Sequence, residues 1–130
     1  MAYSNEKELD IEDDLNKFSV NSMRALGLNF IRNVTFSSPR DTGRFAANWN
    51  FSVGTPNDSY SPSKKDVGKN LNYQSGQILS AKINVDTALW VSNNLPYAAR
   101  LNDGWSKQAP AFFVEKAARI SGINLSDGDL

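Results

Sequence analysis

An apolar stripe at helical spacing runs through the first part of the chain and limits the fold more than any other feature. Its members recur at three- and four-residue steps: Ile11, Leu15, Phe18, Met23, Leu26, Phe30, Ile31 and Val34. This spacing is the period of an α-helix with one buried face. Pro39 ends the pattern, because its ring disfavours helical geometry in the residue before it. The sequence therefore predicts a long helix from Ile11 to about Thr35, with Asp10 as its N-cap.

A turn and a strand are predicted next, in the segment PRDTGRFAANWNFSV. Asp41, Thr42 and Gly43 favour a turn, since Asp can accept bonds from backbone N–H groups and Gly can take a positive φ. From Phe45 the residues alternate, which is typical of a half-buried strand. The expected apolar side contains Phe45, Ala47, Trp49, Phe51 and Val53, and the expected polar side contains Asn48, Asn50 and Ser52.

Four further segments complete the expected secondary structure. Residues 54–69 gather Gly, Pro, Asn, Asp, Ser and Lys, which indicates an exposed loop. A short helix is expected over residues 71–81, and the run TALWVS at 87–92 predicts an interior strand because it is apolar on both sides. The last helix is expected from about Pro110 to Ile120, with Phe113, Ala117 and Ile120 on its buried stripe.

The length of 130 residues fits one compact domain. The expected fold is α+β: a long N-terminal helix packed on a small, mostly antiparallel sheet, with short helices and a C-terminal helix. We assign an acidic N-terminal arm to residues 1–10, the single domain to residues 11–121 and an acidic C-terminal tail to residues 122–130.

The net charge is zero, but it is unevenly distributed along the chain. Residues 1–14 hold six acidic residues against one basic residue, and the last five residues hold two further Asp. The body from 15 to 125 is left with 13 basic and 6 acidic residues, a balance of +7. Two interpretations stay open for the acidic ends: solvated tails, or segments that dock on the basic body of a neighbouring copy.

The absence of His and Cys from the sequence removes the commonest metal ligands, the usual general base and the thiol nucleophile. Tyr97, with Arg100 and Asp103 near it in the sequence, lacks a general base, so we expect no enzymatic activity, no metal and no cofactor. No run approaches the roughly 20 apolar residues that a membrane helix needs, and the acidic start differs from a signal peptide. We therefore expect no membrane association.

The polar run NNLPYAARLNDGWSKQAP at residues 93–110 contains a predicted short helix. Pro96 favours its start, Tyr97 to Asn102 form it, and Gly104 supplies the left-handed residue that ends it. Tyr97 and Trp105 are expected to pack locally, and this role is compatible with contacts to another protein.

The segments PRDTGRFAANW at 39–49 and NNLPYAARLNDGWSKQAPAFF at 93–113 together resemble the HK97 gp10-like group of tailed-bacteriophage neck and minor tail proteins, also called tail-completion or head-tail joining proteins. In that group a D-T-G turn enters a strand that ends near a Trp, and an N-x-x-Y-A segment leads to a Gly-containing loop and an A-P-x-x-F helix start. The matching positions here are Asp41, Thr42, Gly43, Trp49, Asn94, Tyr97, Gly104 and Pro110. Asn102 departs from the pattern, since many relatives carry Glu there.

The resemblance implies a structural virion protein without chemistry of its own, made in the bacterial host cytoplasm and located in the neck or tail. It would be a subunit of a homo-oligomeric ring, a hexamer or dodecamer, between the head connector or adaptor and the tail terminator or tail tube. DNA would pass through the channel without sequence readout. The candidate subunit interface consists of Trp105 and Ser106 on one surface and Asn48, Asn50 and Ser52 on the other.

Two other classes of function stay open from the sequence. The basic body is compatible with a nucleic-acid-binding module, although Lys64, Lys65 and Lys69 lack interleaved aromatic residues. An enzyme that uses carboxylates or a lysine is the remaining class, but no spacing in the sequence points to one.

Overall fold

The computed structural model describes residues 2–105, 109 and 111–123, with side chains from residue 19 onward except that of Trp105. Its helices and strands follow in the order α1 (Ala2–Ser37), β1 (Trp49–Val53), α2 (Val67–Ser80), β2 (Leu89–Asn93), α3 (Ala98–Arg100) and α4 (Phe113–Ile120). Over the described residues the two strands form one antiparallel sheet, and the helices pack around it. The predicted α+β class is confirmed.

The first helix is longer at its N-terminus than the sequence predicts. It begins at Ala2, so Asp10 lies inside the helix and the N-cap prediction is wrong. Residues 2–10 also lie within α1, and they contain no Pro or Gly that would interrupt a helix. The division of the chain into an acidic arm, a domain and an acidic tail stays a prediction. The predicted C-terminal end is confirmed, because α1 ends at Ser37, two residues before Pro39.

A close contact joins α1 to α2 at Gly27. A Cβ atom at this position would lie 3.6 Å from Ile78 Cγ2, so glycine lets the two helices approach. Three residues earlier, Arg24 Nη1 donates to the carbonyl oxygens of Ile78 at 2.7 Å and Ala81 at 2.9 Å. The guanidinium of α1 therefore satisfies carbonyl groups at the C-terminus of α2, which a helix cannot pair internally.

The first strand begins later than the alternation predicts. Residues 46–48 form a single 3₁₀ turn, in which the N–H of Ala47 donates to Gly43 O at 2.9 Å and that of Asn48 to Phe45 O at 3.0 Å. All three residues of this turn are buried. The alternation that starts at Phe45 therefore runs through a helical turn before the strand begins. The half-buried strand proper is β1, whose apolar side carries Trp49 and Phe51.

The second strand is not an interior strand. β2 pairs antiparallel with β1, from Trp49 opposite Asn93 to Val53 opposite Leu89, and the sheet of the described residues has two strands. Trp90 is 40% exposed on the outer face, and its indole Nε1 donates to Gly54 O at 3.0 Å. The apolar character of both sides of β2 therefore does not reflect burial on both sides.

The hydrophobic core lies between α1, the inner face of the sheet, α2 and α4. Phe45 is at its centre, with edge-to-face contacts to Trp49 at 5.6 Å and Phe113 at 5.8 Å between ring centroids. Ile31 and Val34 of α1 are fully buried against this cluster. One connected core serves the whole described chain, as expected for a domain of this length.

The segment between β2 and α4 contains the predicted short helix and its glycine stop. α3 leads into one wide turn at residues 101–105, in which Gly104 has φ +98°. α4 then begins at Phe113, and Pro110 lies outside the described residues. The sequence predicts Phe113, Ala117 and Ile120 on the buried stripe of α4; Phe113 and Ala117 are buried, whereas Ile120 is 62% exposed and Ala118 is buried.

Candidate interaction site

The two sequence blocks that carry the family resemblance meet around Phe45. Asn93 Nδ2 donates to the backbone oxygen of Phe45 at 2.9 Å, and the ring of Tyr97 lies 6.4 Å from the Phe45 ring. Phe113, at the end of the second block, packs edge-to-face on the Phe45 ring as well. Residues far apart in sequence therefore form one packed unit.

The predicted turn at residues 41–43 supports the loop that precedes α2. Gly43 has φ +82°, and a Cβ atom there would lie 2.6 Å from the backbone oxygen of Lys65. Thr42 Oγ1 accepts the N–H of Arg44 at 3.2 Å, so Thr42 supplies the turn's side-chain acceptor. Glycine is required for two reasons: its backbone conformation and the close passage of another chain segment.

Asn48 and Asn50, proposed from the sequence as part of a subunit interface, are 2% and 7% exposed. Asn48 forms a reciprocal pair with Ser61, donating from Nδ2 to Ser61 O at 3.1 Å and accepting Ser61 N–H at Oδ1 at 2.8 Å. Asn50 Nδ2 donates to Ser59 O at 3.0 Å. The interface prediction is wrong for these two side chains, because the following loop covers them. Ser52 is half-buried and donates to Thr55 O at 2.7 Å.

The second strand holds the same loop from its other side. Asn94 Nδ2 and Ser92 Oγ both donate to the backbone oxygen of Asn57, at 2.6 Å and 2.8 Å. Asn94 is one of the positions that carry the resemblance, and in the structure it anchors the loop. Residues 54–66 are therefore an exposed loop, shorter than the predicted 54–69 because residues 67–69 belong to α2. Side-chain amides and hydroxyls fix this loop to the sheet.

Two buried amides of α2 cover the outer edge of β1, and sequence reasoning missed them. Gln74 Oε1 accepts the N–H of Phe51 at 2.9 Å, and Asn70 Nδ2 donates to Trp49 O at 3.0 Å. Both amides are buried. The available signal was their spacing with Ile78, since residues 70, 74 and 78 share one face of α2.

A cluster of lysines lines an open cavity where the loop enters α2. The cavity has a volume of about 570 Å³, and its wall includes Lys64, Lys65, Lys69 and Tyr73; we call it the lysine pocket. Lys64 Nζ donates to Asn70 Oδ1 at 2.6 Å, and partial burial lowers the pKa of this lysine. Asp66, the N-cap of α2, also lies in the wall, and its carboxylate accepts the N–H of Lys69 at 3.0 Å. Such an arrangement can bind oxyanions from carboxylate or phosphate groups.

Asn102, where the family pattern differs, connects the wide turn to α4. Its Nδ2 donates to both carboxylate oxygens of Glu115, at 3.1 Å and 3.0 Å, and its Oδ1 accepts the N–H of Val114 at 3.0 Å. The amide can donate and accept at once, which a carboxylate at this position could not do beside Glu115. The asparagine thus has a local structural role in the start of α4.

Other predicted site residues lie partly outside the described chain. Ser106 and the side chain of Trp105 are not described, so the corresponding half of the candidate interface stays a prediction.

Over the described residues, no helix has the length and apolar character needed to cross a bilayer. Within the same part of the chain, no three acidic side chains gather closely enough to hold a metal ion.

Asn48→Ala should release the loop from the sheet, because it removes the pair with Ser61 and leaves loop groups without partners. We expect a loss of about 1–3 kcal/mol in the free energy of unfolding and faster proteolysis within residues 54–66. Asn84→Ala is the matched control, since Asn84 lies in an exposed turn and its Oδ1 accepts the N–H of Asp86 within that same turn. Equal protease resistance in the two variants would contradict the anchoring role.

Comparisons with protein-family models, with curated proteins and with solved structures find no match for this chain.

Proposed function

We propose that the chain is a structural subunit of a tailed-bacteriophage neck, where it forms part of a ring that joins the head connector to the tail. The observation that carries the proposal is the packing of the two family-like sequence blocks into one unit around Phe45. These blocks provide turn, core and loop-anchoring residues, such as Gly43, Trp49 and Asn94. A scaffold role for the motif residues agrees with a structural protein.

A ring around a channel requires head-to-tail contacts that close by rotation, so each subunit presents two different surfaces to its neighbours. Trp105 and Ser106 remain our candidates for one of them. The loop at residues 54–66 is a candidate for contacts to an adjacent ring or the tail, because it is exposed yet fixed to both strands. The subunits would number six or twelve, and the basic body would face or approach the DNA that passes through.

Electron microscopy of purified virions tests this proposal. We expect density for this protein in the neck, in six or twelve symmetric copies, with its presence verified by mass spectrometry of the same particles. Antibody labelling against the folded chain should mark the head-tail junction. Virions that lack the protein, or that carry one unpaired copy, would exclude the ring role.

The alternative function is a basic nucleic-acid-binding module, favoured by the three lysines that share one cavity wall. If it is correct, the isolated monomer should bind random-sequence duplex DNA, and the logarithm of the binding constant should fall linearly with the logarithm of salt concentration. Fluorescence anisotropy over a salt series measures both quantities. Weak binding at low salt without such a slope would leave the structural role as the better proposal.

A further inference from the structure

The N-terminal part of α1 extends well beyond the domain core. The helix contains 36 residues, which at 1.5 Å per residue corresponds to about 54 Å. Among the residues of α1 whose side chains are described, from Ser19 onward, the fully buried ones are Ile31, Val34 and Thr35, near its C-terminal end. Glu6 precedes Ile31 by 25 residues, so the two positions are about 37 Å apart along the axis. A compact domain of about 110 residues has a radius of gyration of only about 13 Å, so the first turns of α1 project away from it.

The projecting turns carry a concentrated negative charge. Six of the first 14 residues are acidic and one is basic. Glu6, Asp10 and Asp13 are spaced by four and three residues, which places them on one face of the helix; we call this set the acidic face. The helical spacing therefore places three acidic residues on one side of α1.

The lysine pocket has the complementary charge and an accessible position. Lys65 and Lys69 are exposed, and Lys64 is held at the cavity wall by its bond to the buried Asn70 amide. The only carboxylate in the described wall, Asp66, already accepts a backbone N–H. Three ammonium groups against one engaged carboxylate leave the pocket with an excess of positive charge.

We propose that the acidic face of α1 in one copy binds the lysine pocket of a second copy. The continuous helix carries the acidic face away from its own body, so the contact joins two molecules. It is a head-to-tail contact, because the acidic face and the lysine pocket are different surfaces, and repeated contacts of this kind generate a ring when the rotation closes. The inference rests on the proposed function for its repetition around a ring, but the pairwise contact can be tested on the purified chain.

Zero-length cross-linking of the full-length protein tests the contact directly. Equal amounts of ¹⁴N- and ¹⁵N-labelled chain are mixed, treated with a carbodiimide that joins carboxylates to lysines, and analysed by mass spectrometry over a series of protein concentrations. We expect hybrid ¹⁴N/¹⁵N cross-links between residues 6–14 and Lys65 or Lys69. If these cross-links form only within one isotope label, or do not form at any concentration, the proposal is wrong.

Charge reversal gives a second, quantitative test by sedimentation equilibrium. Lys65→Glu with Lys69→Glu should weaken self-association about tenfold, and so should Glu6→Lys with Asp10→Lys, since each exposed pair contributes little and reversal adds repulsion. A mixture of the two double variants should associate more strongly than either alone. Lys82→Glu with Lys116→Glu changes the net charge equally at exposed positions outside the pocket and should leave association unchanged.

The outcomes separate this inference from its competitors. If the Lys65 and Lys69 reversal abolishes binding of random-sequence duplex DNA and leaves self-association unchanged, the pocket serves nucleic acid and the proposal fails. Failure of the mixed variants to recover association would also exclude the pairing of these two surfaces. Absence of the protein from virions would reject the neck function, whereas the cross-linking and mixing results would stand as a separate finding.

Discussion

Replacement of Trp49 by alanine should lower the free energy of unfolding by about 3–5 kcal/mol and greatly reduce the yield of folded protein. Trp49 is 4% exposed, and its ring packs edge-to-face on Phe45. Its indole Nε1 also donates to Ser38 Oγ at 2.9 Å, so the variant leaves a buried hydroxyl with fewer partners as well as a cavity. Chemical denaturation followed by circular dichroism measures the loss.

Trp90→Ala is the matched control for this experiment, because Trp90 is on the exposed face of the neighbouring strand. It also loses an indole hydrogen bond, to Gly54 O, but it opens no cavity in the core. We expect this variant to lose about 1 kcal/mol. Similar losses at the two positions would show that Trp49 does not support the core as described.

Gly43→Ala should be the second most destabilising single change, with an expected loss of about 2–4 kcal/mol in the free energy of unfolding. The backbone at Gly43 has φ +82°, which an L-residue adopts at a cost. The added methyl carbon would also lie 2.6 Å from Lys65 O, a backbone atom that can move only if the loop moves. Thermal and denaturant unfolding of the variant measure the combined effect.

Gly54→Ala separates the two contributions. Gly54 has φ +84°, but a Cβ atom there would have no neighbour within 4 Å among the described residues. We expect this variant to lose about 1–2 kcal/mol, the cost of the backbone conformation alone. A loss at Gly43 no larger than that at Gly54 would mean that the loop gives way freely, and the close approach at Lys65 would then have no energetic importance.

The elements with a strong period could be predicted from the sequence, whereas their ends depended on tertiary contacts. The stripe through Ile31 and Val34 predicted α1 because apolar residues repeat at helical spacing over many turns of the sequence. The start of β1 was misplaced because Ala46 and Asn48 are buried by the loop and the core, so alternation no longer distinguished a strand from a 3₁₀ turn. Where residues are buried on both sides, there is no difference between a buried face and an exposed face, and this difference is what identifies an element from its periodicity.

The polar residues of the candidate site were the hardest to interpret from the sequence. Asn48 and Asn50 appeared to form a polar strand face, but their amides satisfy loop carbonyl groups inside the domain. The sequence alone does not distinguish an asparagine in an exposed interface from one that anchors a loop inside the domain. The position of the loop decides between the two. The sequence shows that Lys64, Lys65 and Lys69 lie close together along the chain. The cavity that they line could not be predicted from it, because the cavity depends on the position of α2.

The coverage of β1 by Asn70 and Gln74 limits how this sheet can pair with other polypeptides. An uncovered strand edge is a template for runaway aggregation, since each added strand exposes a new edge. Here one edge is already occupied by side-chain amides at Trp49 and Phe51, so new strands can join only beside β2. Two molecules that met through their β2 edges would form a four-stranded sheet closed on both sides. Strand pairing between folded copies would therefore stop at a dimer and would not propagate into a fibril.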